Sequence, residues 1–214
     1  PVPLGVIGPV ITFLWIVWLI NAFNFMDGID GIAASQAVLA GAAWLVFGGL
    51  FGIDTIYYFA GVIAFSSLGF LVHNWSPAKF FMGDVGSAFL GFTFAAMPLL
   101  AAKTGKAASA YTFTAAITFL WLFIFDTILT LIRRAFARKR VWLAHREHLY
   151  QRLIIAGMTH RSVTLIYTLM TAAIIGSLFL SERFRGTWEL FLLFTIVLVS
   201  AGLATFAHGK KGLT

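Results

Sequence analysis

The sequence predicts an all-α, polytopic integral membrane protein, and two observations support this prediction. The chain of 214 residues is 60% hydrophobic and only 11% charged, whereas a typical soluble domain is about a quarter charged. Its apolar runs are long enough for helices that cross a hydrocarbon core of about 30 Å, and they lack the strict alternation of barrel strands. The seven predicted spans cover about 3–23, 32–51, 55–73, 87–102, 111–132, 162–180 and 188–207.

The fourth predicted span is short, which is consistent with a tilted, buried or broken helix. The chain begins with Pro1, and no basic stretch precedes the first apolar run as in a signal peptide, so we expect it to be a fragment. The absence of cysteine excludes disulfides, thiolate catalysis and cysteine-ligated metals. Five glycines in or near the spans permit close helix contacts or a lipid groove: Gly41, Gly48, Gly61, Gly69 and Gly91.

Seven spans distribute the polar loops between two faces. Residues 24–31, 74–86, 133–161 and 208–214 share one face, which holds eleven of the fifteen lysines and arginines. The positive-inside rule makes this face cytoplasmic and places the N-terminus outside. Three polar loops from distant parts of the chain therefore share the cytoplasmic face, and together they are predicted to form one site.

The first of these loops follows the stretch NAFNFMDGID. Four polar residues succeed one another at intervals of three: Asn21, Asn24, Asp27 and Asp30. This spacing aligns side chains on one side of a helix or turn, and the glycine after each aspartate lets a ligand approach the backbone. The alternative is an ordinary helix exit, where Asn, Asp and Gly serve as caps and turns. The regular spacing favours a ligand site.

The second loop contains HNWSPAKFFMGDVGSAFLG, in which Asp84 lies between Gly83 and Gly86 before an apolar helix. Such an aspartate is either a helix N-cap or a ligand for a hard cation, because Mg²⁺ is typically held by one or two carboxylates and substrate phosphates. Phe80 and Phe81 are either core or bilayer residues or a platform on which a nucleotide base stacks.

The third loop contains RRAFARKRVWLAHREHLYQRL. Its part from Arg133 to Arg140 is typical of a topogenic surface that binds lipid headgroups. Its later part combines titratable, charged and amide donors that suit a polyanion such as a diphosphate: His145, Arg146, His148, Tyr150, Gln151 and Arg152. The histidine spacing does not resemble a zinc site.

One more carboxylate, Asp126, lies within the fifth predicted span. An acidic residue inside a span is costly and usually has a partner or a function. Asp126 either pairs with Arg133 or Arg134, about two helical turns further on, or takes part in the site.

The stretches NAFNFMDGIDG, FMGDVGS and AHREHLYQRL resemble, in order and spacing, the motifs of the polyprenyl-phosphate N-acetylhexosamine-1-phosphate transferases, the MraY/WecA-like glycosyltransferase family 4 of bacterial cell-envelope glycan synthesis. HREHLYQRL is most similar to the WbpL/WbcO branch. The resemblance implies a single transmembrane catalytic domain over 1–214, from the C-terminal part of a fold of about ten or eleven helices, with 133–161 as its cytoplasmic basic loop. The family's early Asp-Asp motif is absent, which agrees with missing N-terminal helices.

The resemblance further implies transfer of an N-acetylhexosamine 1-phosphate from a UDP-sugar to undecaprenyl phosphate with release of UMP. It implies Mg²⁺, replaceable by Mn²⁺, as cofactor on Asp84 and Asp27, and Asp27, Asp30 and His148 as catalytic residues. Asp27 would bind the metal, position the nucleotide or form a phospho-intermediate. The implied substrate-binding residues are Asn21, Asn24, Gly28, Asn74, Phe81, His145, Arg146 and Arg152, with Phe81 stacked on uracil.

The implied partners are a UDP-N-acetylhexosamine, undecaprenyl phosphate and the lipid bilayer, without nucleic acid, and a homodimer is left open. The implied place is the cytoplasmic face of the bacterial inner membrane, at the start of O-antigen or related lipopolysaccharide or cell-wall glycan synthesis. The alternative class is an ion-coupled secondary transporter, for which Asp126 and carboxylates at helix ends would bind coupling ions. Polar residues clustered on one face, without an internal repeat, argue against a transporter.

Overall fold

The computed structural model describes residue 5 and residues 7–140, 146–183 and 188–209. Within this part of the chain the structure is helical and contains no strand, so the predicted all-α class is confirmed. The helices are α1 (Ile7–Met26), α2 (Ile32–Leu50), α3 (Asp54–Asn74), α4 (Gly83–Lys103), α5 (Ser109–Phe119), α6 (Trp121–Phe136), α7 (Leu149–Ile155), α8 (His160–Arg183) and α9 (Trp188–Gly209).

Each predicted span coincides with one helix or a pair of helices. Five helices are individually long and apolar enough to cross a membrane, namely α1, α2, α3, α4 and α8, which confirms the polytopic class. The fourth span was predicted to be short, but α4 begins at Gly83 and has 21 residues. In α9 the described apolar segment is Leu192–Ala207.

The fifth predicted span is broken, because α5 and α6 are bent by 74° around Leu120. A helix break leaves carbonyl oxygens without an intrahelical donor, and the Phe119 carbonyl accepts a hydrogen bond from Gln36 Nε2 at 2.7 Å. The oxygen of the same amide accepts from Thr171 of α8 at 3.3 Å. A buried glutamine of α2 therefore supplies the hydrogen bond that the carbonyl at the bend lacks. The sequence gives no sign of this bend, because α5 and α6 contain neither proline nor glycine.

Aromatic contacts hold both sides of the bend against the rest of the bundle. Phe119, the last residue of α5, packs edge-on against Trp44 of α2 with ring centroids 5.4 Å apart. Phe123 of α6 packs edge-on against Phe23 of α1 at 5.1 Å, and Phe23 also stacks on Phe94 of α4 at 5.5 Å. Because all five rings are buried, the direction of α6 is set by the core.

Glycines allow two pairs of helices to approach closely. A Cβ at Gly91 of α4 would lie 2.7 Å from the Leu19 carbonyl oxygen of α1, and one at Gly48 of α2 would lie 2.6 Å from the Tyr57 nitrogen of α3. Nothing lies within 4 Å of a Cβ built at Gly69. The predicted close contacts are therefore present at Gly91 and Gly48 but not at Gly69.

We expect the substitution Gly91→Ala to destabilise the protein by about 1–3 kcal/mol, because the new methyl group meets backbone atoms of α1 that cannot rotate away. Thermal unfolding in detergent measures the effect. Gly69→Ala is the matched control, since it adds the same methyl group to another helix in open space and should leave the midpoint unchanged or raised. Equal midpoints for the two variants would contradict the assigned contact.

The polar loops meet at one end of the helix bundle. Asn24 near the end of α1 bonds to Asp84 at the start of α4, and Thr164 of α8 bonds to the backbone of Asp30 before α2. Tyr150 of α7 reaches the last turn of α1. The predicted grouping of polar stretches at one end is therefore present, although part of the third loop, 141–145, lies outside the described residues.

Candidate active site

Three carboxylates surround a cavity of about 260 Å³ between the α1–α2 turn and the start of α4. Because α1 ends at Met26, Asp27 and Asp30 lie on the turn and not on the helix, whereas Asp84 lies in the first turn of α4. We call this space the acidic cavity. It is lined by Asn24, Asp27, Gly28, Ile29, Asp30, Asn74, Phe81, Met82, Gly83, Asp84 and His160.

Asp27 and Asp84 both line the acidic cavity, and their charges interact there. Burial, and next the negative charge of Asp84, raise the pKa of Asp27 to about 7. Asn24 holds the second carboxylate, because its Nδ2 donates to Asp84 Oδ1 at 3.0 Å and to Ser87 Oγ at 3.2 Å. A cation placed between the two carboxylates would remove their repulsion.

Asp30 is held by contacts from two other parts of the chain, the α3–α4 loop and the start of α8. Burial acts to raise its pKa, but the Ala78 N–H at 3.3 Å, the Ser76 hydroxyl and His160 lower it overall. His160 Nδ1 lies 3.3 Å from Asp30 Oδ1, and the Thr164 hydroxyl donates to the Asp30 carbonyl at 2.7 Å. Asp30 therefore stays ionised at neutral pH and ties the α1–α2 turn to α8 and to the α3–α4 loop.

Asn74 and Phe81 lie on the α3–α4 side of the acidic cavity. Asn74 accepts from the Gly31 N–H at 3.0 Å and donates to the Phe80 carbonyl at 2.8 Å, so it joins the start of α2 to the following loop. Gly31 has a φ of 77°, a left-handed conformation that glycine adopts readily. Phe81 is 76% exposed although it lines the cavity, which leaves its ring face open to a ligand.

Asp126 is a buried anchor for the start of α7. The structure pairs Arg134 with Glu147, at 2.9 Å. Among the described residues no ion pair joins Asp126 to Arg133 or Arg134, so the first of the two alternatives for Asp126, an ion pair with one of these arginines, is not present. Five donors instead surround the Asp126 carboxylate, at 2.6–3.3 Å: Thr130 Oγ1, His148 Nδ1, the Leu149 and Tyr150 N–H groups and Tyr167 Oη. A carboxylate inside the protein is stabilised when its oxygens are satisfied in this way.

Tyr150 connects the start of α7 to the α1–α2 turn, residues 27–31, which we call the acidic turn. Its hydroxyl donates to the Phe25 carbonyl at 2.9 Å, and a Cβ at Gly28 would overlap that hydroxyl oxygen. Burial, and next the charge of Asp126, raise the pKa of Tyr150 well above its usual value, so the hydroxyl remains a donor. Glycine at position 28 is therefore required by the close approach of α7.

The part of the chain that carries the three carboxylates matches a known protein family. The family model described as glycosyl transferase family 4 matches residues 1–102, which include Asp27, Asp30 and Asp84. This part of the chain belongs to glycosyl transferase family 4. The family predicted from the motifs is thereby confirmed, while its WbpL/WbcO branch stays a prediction.

Several curated proteins are similar in sequence to about half or more of this chain. A Bacillus subtilis protein described as a probable undecaprenyl-phosphate N-acetylglucosaminyl 1-phosphate transferase is 34% identical over 190 residues, 88% of this chain and 52% of its own length. A decaprenyl-phosphate N-acetylglucosaminephosphotransferase of Mycobacterium tuberculosis is 33% identical over 129 residues, 54% of this chain and 32% of its own.

A third relative, a phospho-N-acetylmuramoyl-pentapeptide-transferase of Staphylococcus carnosus, is 36% identical over 99 residues, 46% of this chain and 31% of its own length. The chain thus spans about half the length of the first of these relatives and about a third of the other two.

Most residues that the glycosyl transferase family 4 motifs predict for the site come together. The acidic cavity is lined by Asn24, Asp27, Gly28, Asp30, Asn74, Phe81 and Asp84. Asn21 is not among its lining residues, and its Nδ2 donates to the Val17 carbonyl of its own helix at 2.7 Å. The four regularly spaced residues from Asn21 to Asp30 do not share one helical face, because α1 ends before Asp27. His145 lies outside the described residues.

The other predicted site residues of the third loop, as far as the structure describes them, lie outside the acidic cavity. His148 is only 2% exposed, and its Nδ1 faces the Asp126 carboxylate at 3.2 Å, a partner that favours the proton on this nitrogen. Arg146 and Arg152 line a different cavity. In the described part of the chain none of these three residues lines the acidic cavity.

His160 is a site residue that the sequence analysis missed. It lines the acidic cavity and contacts Asp30 from the first residue of α8. Its only signal in the sequence is its place at the end of loop 133–161, on the face assigned to the site. A lone histidine before an apolar helix has no motif around it, so its role depends on how α8 packs against the acidic turn.

The acidic cavity fits a Mg²⁺ ion better than a transition metal. In the part of the chain that the structure describes, no three His, Cys, Asp or Glu side chains come together as a metal site. Mg²⁺ does not require such a set, because one or two carboxylates together with substrate phosphates usually hold it. Asp27 and Asp84, which line the same cavity, are the carboxylates that would hold it.

Proposed function

We propose that this chain carries the nucleotide-sugar site of a Mg²⁺-dependent polyprenyl-phosphate hexosamine-1-phosphate transferase. The observation that carries the proposal is that Asp27 and Asp84 line one cavity at the ends of membrane helices together with the exposed ring of Phe81. The names of the relatives, which describe transfer of amino-sugar phosphates to prenyl phosphates, support the same reaction class.

In the proposed reaction, an oxygen of undecaprenyl phosphate attacks the β-phosphorus of a UDP-N-acetylhexosamine. The bond from this phosphorus to the oxygen that bridges to the α-phosphate breaks, and UMP leaves with the electron pair. Two anions must meet, so the barrier is largely electrostatic. Mg²⁺ held by Asp27 and Asp84 would supply charge neutralisation for the phosphate oxygens.

The residues of the chain bind and orient the substrates. Phe81 stacks on the uracil ring, and Asp30, held in place by His160, faces the nucleoside together with Gly28. Asn24 keeps Asp84 oriented towards the cavity through its hydrogen bond at 3.0 Å. The chain's net charge of +7 attracts the anionic substrates to the surface of the membrane.

The proposed partners are a UDP-N-acetylhexosamine, undecaprenyl phosphate and the bilayer, and the proposed location of the site is the cytoplasmic face of the bacterial inner membrane. The lysines and arginines of the loops that meet at this end support that orientation. O-antigen or related envelope glycan synthesis is the proposed pathway class.

The decisive experiment supplies full-length protein in membranes with undecaprenyl phosphate, Mg²⁺ and a panel of UDP-N-acetylhexosamines. We expect UMP and a lipid-linked sugar diphosphate in equal amounts, and no UMP when the lipid is omitted or EDTA is added. A folded full-length protein that releases no UMP from any nucleotide sugar would overturn the proposal.

We expect Phe81→Leu to raise the KM for the nucleotide sugar about tenfold with little change in kcat, because stacking of a base on an aromatic ring is worth about 1–3 kcal/mol. Phe80→Leu is the matched control, since Phe80 is also exposed but does not line the acidic cavity. Steady-state UMP release measures both variants. Equal KM values for the two variants would remove the stacking role from Phe81.

A further inference from the structure

A second cavity, also of about 260 Å³, lies where the end of α6, α7 and the last turns of α9 meet. We call it the arginine cavity. Its polar lining contains four basic residues and one acid, Arg133, Lys139, Arg146, Arg152 and Glu147. It shares no lining residue with the acidic cavity, so its chemistry belongs to a separate place in the fold.

Glu147, the acid of the arginine cavity, already forms ion pairs with Arg134 and Lys139. Glu147 Oε1 lies 2.9 Å from Arg134 Nη1 and 2.8 Å from Lys139 Nζ. Among the described residues, no ion pair joins a carboxylate to Arg133 or Arg152. The cavity wall therefore carries positive charge in excess of its one acid.

The guanidinium groups of the arginine cavity also have unsatisfied donors. Arg133 Nη1 and both terminal nitrogens of Arg152 are buried and have no hydrogen-bond partner among the described residues. A buried donor without an acceptor is unfavourable, because it has lost its hydrogen bonds to water. The guanidinium groups of Arg133 and Arg152 line the same cavity, and burial, and next the charge of Arg133, lower the pKa of Arg152. An anion with several oxygens would satisfy both groups at once.

We propose that the arginine cavity binds a phosphate group through Arg133 and Arg152. Guanidinium groups present planar forks of N–H donors that match phosphate oxygens in charge and geometry. The apolar part of the lining consists of Ile155, Ala156 and Ala207. This combination suits a phosphate that is attached to a carbon skeleton, either the headgroup of an anionic phospholipid or a soluble phosphate compound.

The arginine cavity is set apart from the site of the proposed reaction. A third cavity of about 270 Å³ lies between them and shares Arg146 and Ile155 with the arginine cavity. This intermediate space shares Gly28, Ile29 and His160 with the acidic cavity. A phosphate on Arg133 and Arg152 is therefore separate from the phosphates of a nucleotide held at Asp27 and Asp84.

The test measures lipid retention, which requires no turnover. Full-length protein is reconstituted in phosphatidylcholine nanodiscs with or without phosphatidylglycerol, released into mild detergent and examined by native mass spectrometry. We expect the wild type to retain phosphatidylglycerol at least fivefold more often than the Arg133→Gln/Arg152→Gln double variant. Arg138→Gln is the matched control, because this exposed arginine does not line the cavity, and it should retain lipid like the wild type.

Two further measurements complete the test. One distinguishes a phospholipid headgroup from a soluble phosphate compound, and the other uses a variant that keeps both arginines, in case the double variant misfolds. Ala156→Leu fills the cavity without changing a charge and should also reduce retention. Inorganic phosphate and diphosphate are titrated against the wild type with and without lipid, and binding of either to lipid-free wild type but not to the double variant assigns the site to a soluble phosphate compound. Equal retention in the wild type, the double variant and Ala156→Leu, with no difference in phosphate binding, would overturn the proposal.

Discussion

Replacement of Asp84 with asparagine is expected to lower Mg²⁺-dependent UMP release by about 10²–10³-fold, the loss typical when one preorganised electrostatic partner of a transition state is removed. The substitution keeps the shape of the side chain and removes the charge that, with Asp27, would hold the cation. Because Asn24 already donates to Asp84 Oδ1, the new amide can keep that contact through its own oxygen. The fold of the turn should therefore persist.

Mg²⁺ titration of UMP release and a binding isotherm for Mn²⁺ measure this effect together. Asp54→Asn is the matched control, since Asp54 is an exposed carboxylate at the start of α3, on the loop side opposite to the site. It should show wild-type rates and metal affinity. A wild-type rate in the Asp84 variant would remove the metal assignment, whatever the behaviour of the control.

Asp126→Asn is expected to lower turnover by about 10²-fold, which is the cost of displacing a catalytic constellation by about an ångström. An asparagine has one acceptor oxygen, so its NH₂ group would face some of the five donors that the carboxylate now accepts. The start of α7 would lose its anchor, and Tyr150 would no longer hold the Phe25–Gly28 segment in place. Asp27 would shift as a consequence.

Hydrogen exchange separates this positioning role from a general loss of structure. The Leu149 and Tyr150 amides, which now donate to Asp126 at 2.8 and 3.3 Å, should exchange faster in the variant, while the amides in the middle of α2 and α3 remain protected. Tyr167→Phe removes only one of the five donors and should have a much smaller effect. Unchanged exchange at Leu149 and Tyr150 together with wild-type turnover would contradict the anchoring role.

The helices could be predicted because they depend on local apolar runs. The grouping of the polar loops could be predicted because the number of spans between two loops decides whether they lie on the same face. Apolar runs of sufficient length predict spans wherever they occur, and an alternating path through the membrane brings the loops of Asp27 and Asp84 to the same end. The motif around Asp27 likewise predicted most of the acidic cavity. The motif also placed Asn21 in the site, but Asn21 bonds to its own helix instead. The helical face that the spacing suggested ends at Met26, where α1 ends.

The remaining features depend on contacts between residues that are far apart in the chain. The bend after α5 is satisfied by Gln36, 83 residues earlier, and Tyr167 reaches Asp126 across 41 residues. Asp126 was recognised as unusual, yet both of its proposed roles were open until its five donors were known. The position of His160 beside Asp30 also results from the packing of α8.

The amino-acid sequence was sufficient for the all-α membrane class, the family and the acidic turn, because hydrophobicity, spacing and motif are properties of neighbouring residues. The packed structure was needed for the partners of Asp126, the place of His148 and the two separate cavities. The physical reason is that burial converts a polar side chain into one that must find a partner. Which partner it finds depends on the helices that close around it.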